Sequence, residues 1–180
     1  MATDYPEFYE GKVLEDKAQN IILNGSRSYS NTFKFQNREF RIIKYSYIHP
    51  YIHWEIFNHN DKYYICRLKW FYETDWNKFR NPSERLKYPK LLEPSITYKC
   101  QLLKENLFEE FREELLSSNH LTNDTNENNI GCDDFKYELF MGEESNYKAS
   151  FISLNDKSKS ELNFIKSFLH KVEDFTETWE

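Results

Sequence analysis

Three segments of the chain place apolar residues at helical spacing and so predict helices: residues 12–24, residues 106–117 and the segment that begins at Ser158. Gly25 is a stop signal for the first, and a capping-box pattern opens each of the other two. The apolar faces comprise Leu14, Ala18, Ile21 and Ile22; Leu107, Phe108, Phe111 and Leu115; and Leu162, Ile165, Phe168, Leu169, Val172 and Phe175. The last helix must bury its broad apolar stripe, so we expect it to dock on a sheet.

Alternating apolar and polar residues predict the strands. Phe33 and Phe35, followed by Phe40 and Ile42 after a turn at residues 36–38, indicate a hairpin. The segments 51–57 and 63–70 indicate a second hairpin around the turn residues Asn58, His59, Asn60 and Asp61. Residues 95–103 form a further strand, and residues 137–151 form the clearest hairpin, with its turn at 142–146.

Two segments lack such patterns. Residues 71–94 contain three prolines and mixed charge, so we expect a long connection with short helices at most. Its aromatic residues, Trp76 and Phe79, could form a lid over the core or a loop that anchors a partner, and we favour the lid. Residues 119–134 are polar and rich in asparagine, which predicts a linker.

Taken together, these elements predict a single α+β domain spanning residues 1–180. Its sheet is mostly antiparallel and twisted, and the C-terminal helix and the 106–117 helix pack on one face.

The histidines of SYIHPYIHWEIFNHNDKYYICRLKW, residues 46–70, raise the question of a metal centre. On a helix, His49 and His53 would lie about 6 Å apart and could share a zinc ion. Pro50 and the surrounding isoleucine, tyrosine and tryptophan residues favour an extended segment, which separates them by about 13 Å. We therefore predict no metal site and no catalytic residue in this region, and no cofactor.

Composition narrows the classes of protein further. The chain has 15 Phe, 13 Tyr and 4 Trp, enough large side chains to form a core, but only 4 Gly for a phosphate-binding loop. Cys66, Cys100 and Cys132 are widely spaced and contain no C-x-x-C pair, so we expect reduced thiols and a cytoplasmic protein. Neither a secretory signal nor a run of apolar residues long enough for a membrane span is visible.

Charge is distributed unevenly along the chain, whose net charge is −6. Residues 1–100 carry 16 Lys and Arg against 12 Asp and Glu, whereas residues 101–180 carry 8 against 18. A strongly acidic half repels nucleic acid and anionic lipid, so we expect neither a nucleic-acid nor a membrane partner, and it favours a cationic protein partner. A solvated surface that confers solubility explains the same distribution.

The acidic residues concentrate in two places, which form the candidate partner surface. One is the polar face of the 106–117 helix and its start, and the other is the segment 133–144. The candidate residues are Glu105, Glu109, Glu110, Glu113, Glu114, Asp133, Asp134, Glu143 and Glu144. A helix face of this kind can also be simply a solvated face.

The run DDFKYELFMGEESNYKASFISLNDKSKSELNFIKSFLHKV, residues 133–172, resembles a bacterial pattern in which an acidic turn precedes a "YEL" strand, a hairpin returns and a helix closes the domain. Immunity proteins of polymorphic toxin systems, including contact-dependent and type VI secretion toxins, contain such segments. The resemblance implies a stoichiometric inhibitor that binds a cognate toxin domain as a heterodimer in the cytoplasm. Many such toxins are basic nucleases, and an acidic surface suits them.

The working hypothesis is therefore an immunity protein, not an enzyme, that neutralises its toxin by direct binding. Two alternatives remain open: a small enzyme of unknown reaction, and a carbohydrate- or peptide-binding module that uses the aromatic residues of the 46–76 region. An inhibitor of some other host protein would use the same physics as an immunity protein.

Overall fold

A computed structural model of the chain describes residues 6–29, 37–46, 49–80, 93–117, 135–141, 147–152 and 170–176. The helices are α1 (Pro6–Asn24), α2 (Ser26–Tyr29), α3 (Tyr72–Arg80), α4 (Glu105–Ser117) and α5, which comprises residues 170–176. The strands are β1 (Asn37–Ser46), β2 (His49–His59), β3 (Lys62–Trp70), β4 (Ile96–Leu103), β5 (Phe135–Met141) and β6 (Tyr147–Ile152).

All six strands form one sheet in the order β4-β3-β2-β1-β5-β6, and every neighbouring pair is antiparallel. The predicted turn between β2 and β3 is confirmed for Asn60 and Asp61, which form a two-residue loop, but it is wrong for Asn58 and His59, which belong to β2 and pair with Tyr63 and Lys62. Both loop residues have positive φ, 52° and 56°. Asn and Asp tolerate this conformation better than most residues, and it matches the twist of a tight hairpin.

One face of the sheet carries the larger hydrophobic core, as the sequence predicts. Phe108 and Phe111 of α4 and Val172 of α5 are each at most 2% exposed and pack against this face. The sheet residues of this core are Phe40, Ile42, Ile52, Trp54, Ile56, Ile65, Leu103 and Tyr137. The predicted α+β class, with an antiparallel sheet and these two helices on one face, is confirmed.

The opposite face is covered by α1, a position that the sequence pattern did not predict. Ala18 and Ile22 of α1 are fully buried against Leu68 and Trp70 of β3. The helix ends where predicted, since the backbone N–H of Gly25 donates to the carbonyl of Ile21 at 2.9 Å and Gly25 adopts a φ of 69°. The sheet is thus enclosed by helices on both sides, a three-layer arrangement.

Several boundaries differ from the sequence predictions. The predicted turn at residues 36–38 is wrong for its last two residues, since Asn37 and Arg38 belong to β1 and pair with β2. An irregularity in the register between Arg38 and Phe40 produces the break in alternation that resembled a turn. The connection 71–94 contains α3, in agreement with the prediction of short helices. The linker 119–134 and the first part of the C-terminal helix lie outside the described residues.

The cysteines also differ from the prediction of reduced thiols. Cys66 of β3 and Cys100 of β4 lie directly opposite each other in the strand register and are joined by a disulfide. The wide spacing of the two cysteines in the sequence does not indicate this pair, because only the pairing of β3 with β4 brings them together. Cys132 lies outside the described residues.

Among the helices that the structure describes, none is both long and apolar enough to cross a membrane.

Candidate functional site

The acidic helix α4 lies on the sheet through its apolar side. Phe108 stacks on Tyr63 of β3, with ring centroids 3.6 Å apart and an interplanar angle of 14°. Phe111 enters the same core. Because these two residues face the sheet, the glutamates on the remaining arc of the helix point away from it.

The predicted carboxylates of α4 form one outward-facing group. Glu105, Glu110 and Glu113 are exposed, and Glu109 is half-buried. Arg112 approaches Glu109 at 3.6 Å, and both side chains are about half exposed, so this pair is worth little in water. Within the part of the chain that the structure describes, no lysine or arginine pairs with Glu110 or Glu113.

The second half of the predicted surface lies outside the described residues. The side chain of Glu114, and the residues Asp133, Asp134, Glu143 and Glu144, lie outside what the structure describes. The strand between the two acidic pairs, β5, is three strands away from β3, about 14 Å across the sheet. That the two halves form one surface therefore stays a prediction.

The register of the sheet nevertheless shows that the two ends of β5, one next to Asp133 and Asp134 in sequence and the other next to Glu143 and Glu144, lie at opposite ends of the sheet. One cross-strand row comprises Met141, Phe40, Ile56, Ile65 and Gln101. Met141, the last described residue before Glu143 and Glu144, therefore lies at the end of the sheet where β4 passes into α4. The strand residue nearest to Asp133 and Asp134, Phe135, lies at the opposite end, paired with Ser46.

A buried ionic cluster on the α1 face was not found from the sequence. The Glu55 carboxylate is fully buried, and Nη2 of Arg38 lies 2.7 Å from its Oε1. The backbone N–H of Ser26, at the start of α2, donates to Oε2 at 2.5 Å. The Nδ1 atom of His53 bonds the carbonyl of Ile22, which makes it a donor there. These contacts connect the end of α1 and the start of α2 to the centre of the sheet.

Electrostatics explains why this cluster is stable. Burial raises the pKa of Glu55, but the neighbouring His53 and Arg38 and the hydrogen bonding from Ser26 outweigh burial and hold that pKa below its ordinary value. Burial lowers the pKa of His53, so its ring is neutral at neutral pH. Arg38 is therefore the permanent counter-charge of Glu55. With all three side chains at most 3% exposed, substrates have no access, and we interpret the cluster as structural.

A second polar group holds α5 on the other face. Nζ of Lys44 lies 2.6 Å from Oε1 of Glu173 and 5.4 Å from the centre of the Tyr137 ring. Burial, reinforced by the Glu173 charge, raises the pKa of Tyr51 and of Tyr137. Both hydroxyls stay protonated at physiological pH, so neither can act as a general base there.

Thr176, the last described residue of α5, is hydrogen-bonded to two residues of the sheet. The indole N–H of Trp54 donates to the hydroxyl of Thr176 at 3.0 Å, and Arg67 donates to the Thr176 carbonyl at 2.9 Å. The sequence contained no motif for this contact, because its partners are far apart in the chain.

The histidines and aromatic residues of the region 46–76 are largely structural. His49 and His53 both lie on the extended strand β2, which confirms the predicted geometry. The described residues contain no group of three or more His, Cys, Asp or Glu side chains that could hold a metal ion. Trp54 and Trp70 are 1% and 3% exposed, so of the aromatic surface proposed for ligand binding mainly Phe71 and Trp76 reach solvent.

No protein-family model matches the chain, and no curated protein and no solved structure matches it either.

Proposed function

We propose that the protein is an immunity protein that neutralises a cognate toxin domain by direct binding in the cytoplasm of the cell that makes both. The observation that supports this proposal is the outward-facing group of carboxylates on α4, of which Glu105, Glu110 and Glu113 are exposed. A helix whose apolar side is fixed to the sheet presents these charges in a defined arrangement rather than on a flexible tail. Such a surface suits a basic partner, as the resemblance of residues 133–172 implies.

The partner would be a positively charged protein, with a basic nuclease domain as the first candidate. Carboxylates at the helix surface can occupy the positions that phosphate groups take on such an enzyme, and the association rate then depends strongly on ionic strength. The proposed function requires neither a catalytic residue of this chain nor a cofactor.

The first experiment is co-purification of the chain with the product of the adjacent gene, at about 0.05 M and about 0.3 M salt. We expect a stable complex at a ratio of one to one, with a dissociation constant that increases with salt. A chain that binds no protein but turns over a small substrate would contradict the proposal.

The second experiment locates the surface. The double variant Glu110→Lys/Glu113→Lys replaces two exposed carboxylates on α4, and we expect it to weaken binding by about tenfold or more at low salt, since like charges then face each other. The matched control is Asp16→Lys/Glu73→Lys, which makes the same change of charge at exposed positions of α1 and α3.

The control should retain affinity within about threefold, because its charges lie on other elements and are screened over about 10 Å. Equal losses in both variants would indicate a response to net charge alone, and no loss in either would exclude α4 as the docking surface.

A further inference from the structure

The pairing of Cys66 with Cys100 joins two residues of very different accessibility. Cys66 is fully buried beneath Phe57, whereas Cys100 is half-buried on β4. The two residues are direct partners in the β3–β4 register, with Cα atoms 4.1 Å apart. The hydroxyl of Tyr98 donates to Sγ of Cys66 at 3.5 Å. Cys100 is therefore the less buried of the two residues, and the sulfur of Cys66 has a hydrogen-bond donor beside it.

The position of this disulfide in the sheet determines which part of the protein it restrains. Among the described strands, β4 lies at the edge of the sheet and pairs with β3 alone. Only Lys104 separates the end of β4 from the start of α4, so Ile96–Leu103 and Glu105–Ser117 form one continuous unit, which we call the β4–α4 unit. Edge elements are the usual sites of local opening, because they share hydrogen bonds with one neighbour instead of two. A covalent bond from the middle of β4 to β3 restrains that opening.

We propose that Cys66 and Cys100 form a reversible thiol–disulfide pair that fastens the β4–α4 unit to the sheet when oxidised and allows the unit to open when reduced. This inference does not rest on the proposed function, since it concerns the stability of the unit and not what the unit binds.

The chemistry is thiol–disulfide exchange with a low-molecular-weight thiol and its disulfide. A thiolate attacks Sγ of Cys100, the less buried of the two residues; a mixed disulfide forms there, the protein disulfide breaks, and Cys66 leaves as a thiolate. The Tyr98 hydroxyl stabilises this leaving group by donating to it, and the thiolate then takes a proton from solvent.

A second thiolate attacks the small molecule's sulfur in the mixed disulfide and releases Cys100 as a thiolate. Two small thiols are thereby oxidised to one disulfide as the protein bond is reduced, and the reverse steps restore it. The reducing conditions of the cytoplasm favour the thiols of Cys66 and Cys100, whereas oxidising conditions outside it favour their disulfide.

The test is hydrogen–deuterium exchange of the full chain in buffers set by reduced or oxidised glutathione, on a Cys132→Ser background to prevent exchange with the third cysteine. Reduction should accelerate exchange of peptides from residues 96–117 by at least about tenfold. Peptides from β1 and β5 should change by less than about twofold, because these strands lie away from the pair. Alkylation followed by mass measurement reports how much of the disulfide is present.

The variant Cys66→Ala/Cys100→Ala is the control, and it should exchange like the reduced protein in both buffers. The inference is overturned if the bond never forms in the oxidised buffer, or if reduction leaves the exchange of residues 96–117 unchanged. It is equally overturned if glutathione reduces the bond only after denaturant is added, or if reduction unfolds the whole domain, because the pair would then be a permanent staple. Should the variant with both cysteines replaced fail to fold, the Cys132→Ser protein in the two buffers still provides each of these readouts.

Discussion

Replacing Arg38 with methionine isolates the counter-charge of a buried carboxylate. In the folded protein, Nη2 of Arg38 lies 2.7 Å from Oε1 of Glu55, and these side chains are 2% and 0% exposed. Methionine retains most of the apolar stem of arginine and removes the charge. The substitution leaves Glu55 buried with the N–H of Ser26 as a donor but without its permanent cation.

Removing one partner of a buried ion pair costs about 3–5 kcal/mol, because the remaining charge is neither solvated nor paired. Small domains are stable by about 5–15 kcal/mol, so the variant loses a large part of its stability but can remain folded. With a denaturant slope of about 2 kcal/mol per molar urea, the unfolding midpoint falls by about 2 M.

The loss must also depend on pH in a defined direction. In wild type the folded pKa of Glu55 lies below its unfolded value, so its contribution is present above about pH 4.3 and is lost as the pH falls through the folded pKa. Without Arg38, we expect burial to outweigh the remaining contacts of Glu55 with His53 and Ser26 and to raise its folded pKa above the unfolded value. The variant then retains this contribution at low pH and loses it as the pH rises. The stability difference between the two proteins therefore narrows from about pH 7 to about pH 4.

Urea unfolding monitored by tryptophan fluorescence, repeated at several pH values, measures the difference. The double variant Arg38→Met/Glu55→Gln is the control, and it should recover most of the loss, since no uncompensated charge remains. A difference between wild type and Arg38→Met that is independent of pH, or a double variant no more stable than the single one, would refute the electrostatic account and indicate a packing defect.

Three further substitutions have expected outcomes that follow from the same contacts. Gly25→Ala should lower the free energy of unfolding, measured by thermal unfolding, by at least about 1 kcal/mol, because Gly25 has a φ of 69° and a Cβ at this position would lie 2.5 Å from the carboxylate of Glu55. The control is Gly11→Ala, which has open space around its Cβ and should be neutral or stabilising. Thr176→Val should cost about 1–3 kcal/mol by leaving the indole N–H of Trp54 without its acceptor, whereas Thr176→Ser should retain most of the stability; calorimetry distinguishes the two. Burial lowers the pKa of His53, so the unfolded chain binds its proton first and stability falls as the pH drops below about 6.5; His53→Gln should remove that component from the stability–pH profile measured by urea unfolding.

Most of the fold can be predicted from the apolar periodicity of the sequence. Ala18 and Ile22 are fully buried, and Phe108 and Phe111 are 2% exposed, as their helical spacing predicts. The two-residue loop at Asn60 was equally readable, since local turn chemistry decides it. Such features depend on residues within a few positions of one another, and short-range physics is what a single sequence records best.

Contacts between distant residues were not readable in the same way. Arg38 and Glu55 are separated by one hairpin, Lys44 and Glu173 by most of the chain, and neither pair has a spacing that differs from chance. The pairing of Cys66 with Cys100 cannot be predicted for the same reason, because wide spacing is uninformative until the register of β3 and β4 is known. The outward position of the α4 carboxylates followed from helical periodicity, whereas their relation to β5 depends on sheet order.

The helices differ in how their positions are fixed, and this difference bears on the acidic surface. Apolar contacts hold a helix on a sheet but tolerate small rotations and shifts, whereas a buried hydrogen bond is satisfied in one position. Among the described residues, α1 has such a contact with His53, α2 with Glu55, α3 at Asp75 and α5 at Thr176.

In contrast, the described contacts that hold α4 on the sheet are apolar, through Phe108 and Phe111, and it is covalently continuous with β4. Its orientation therefore depends more than that of the other helices on how firmly β4 is held. If a partner recognises the carboxylates of α4, fastening β4 through Cys66 and Cys100 restricts the motion of that surface before binding. The oxidised protein should then lose less conformational entropy on association and bind more tightly than the reduced one, and titration calorimetry in the two glutathione buffers measures that difference.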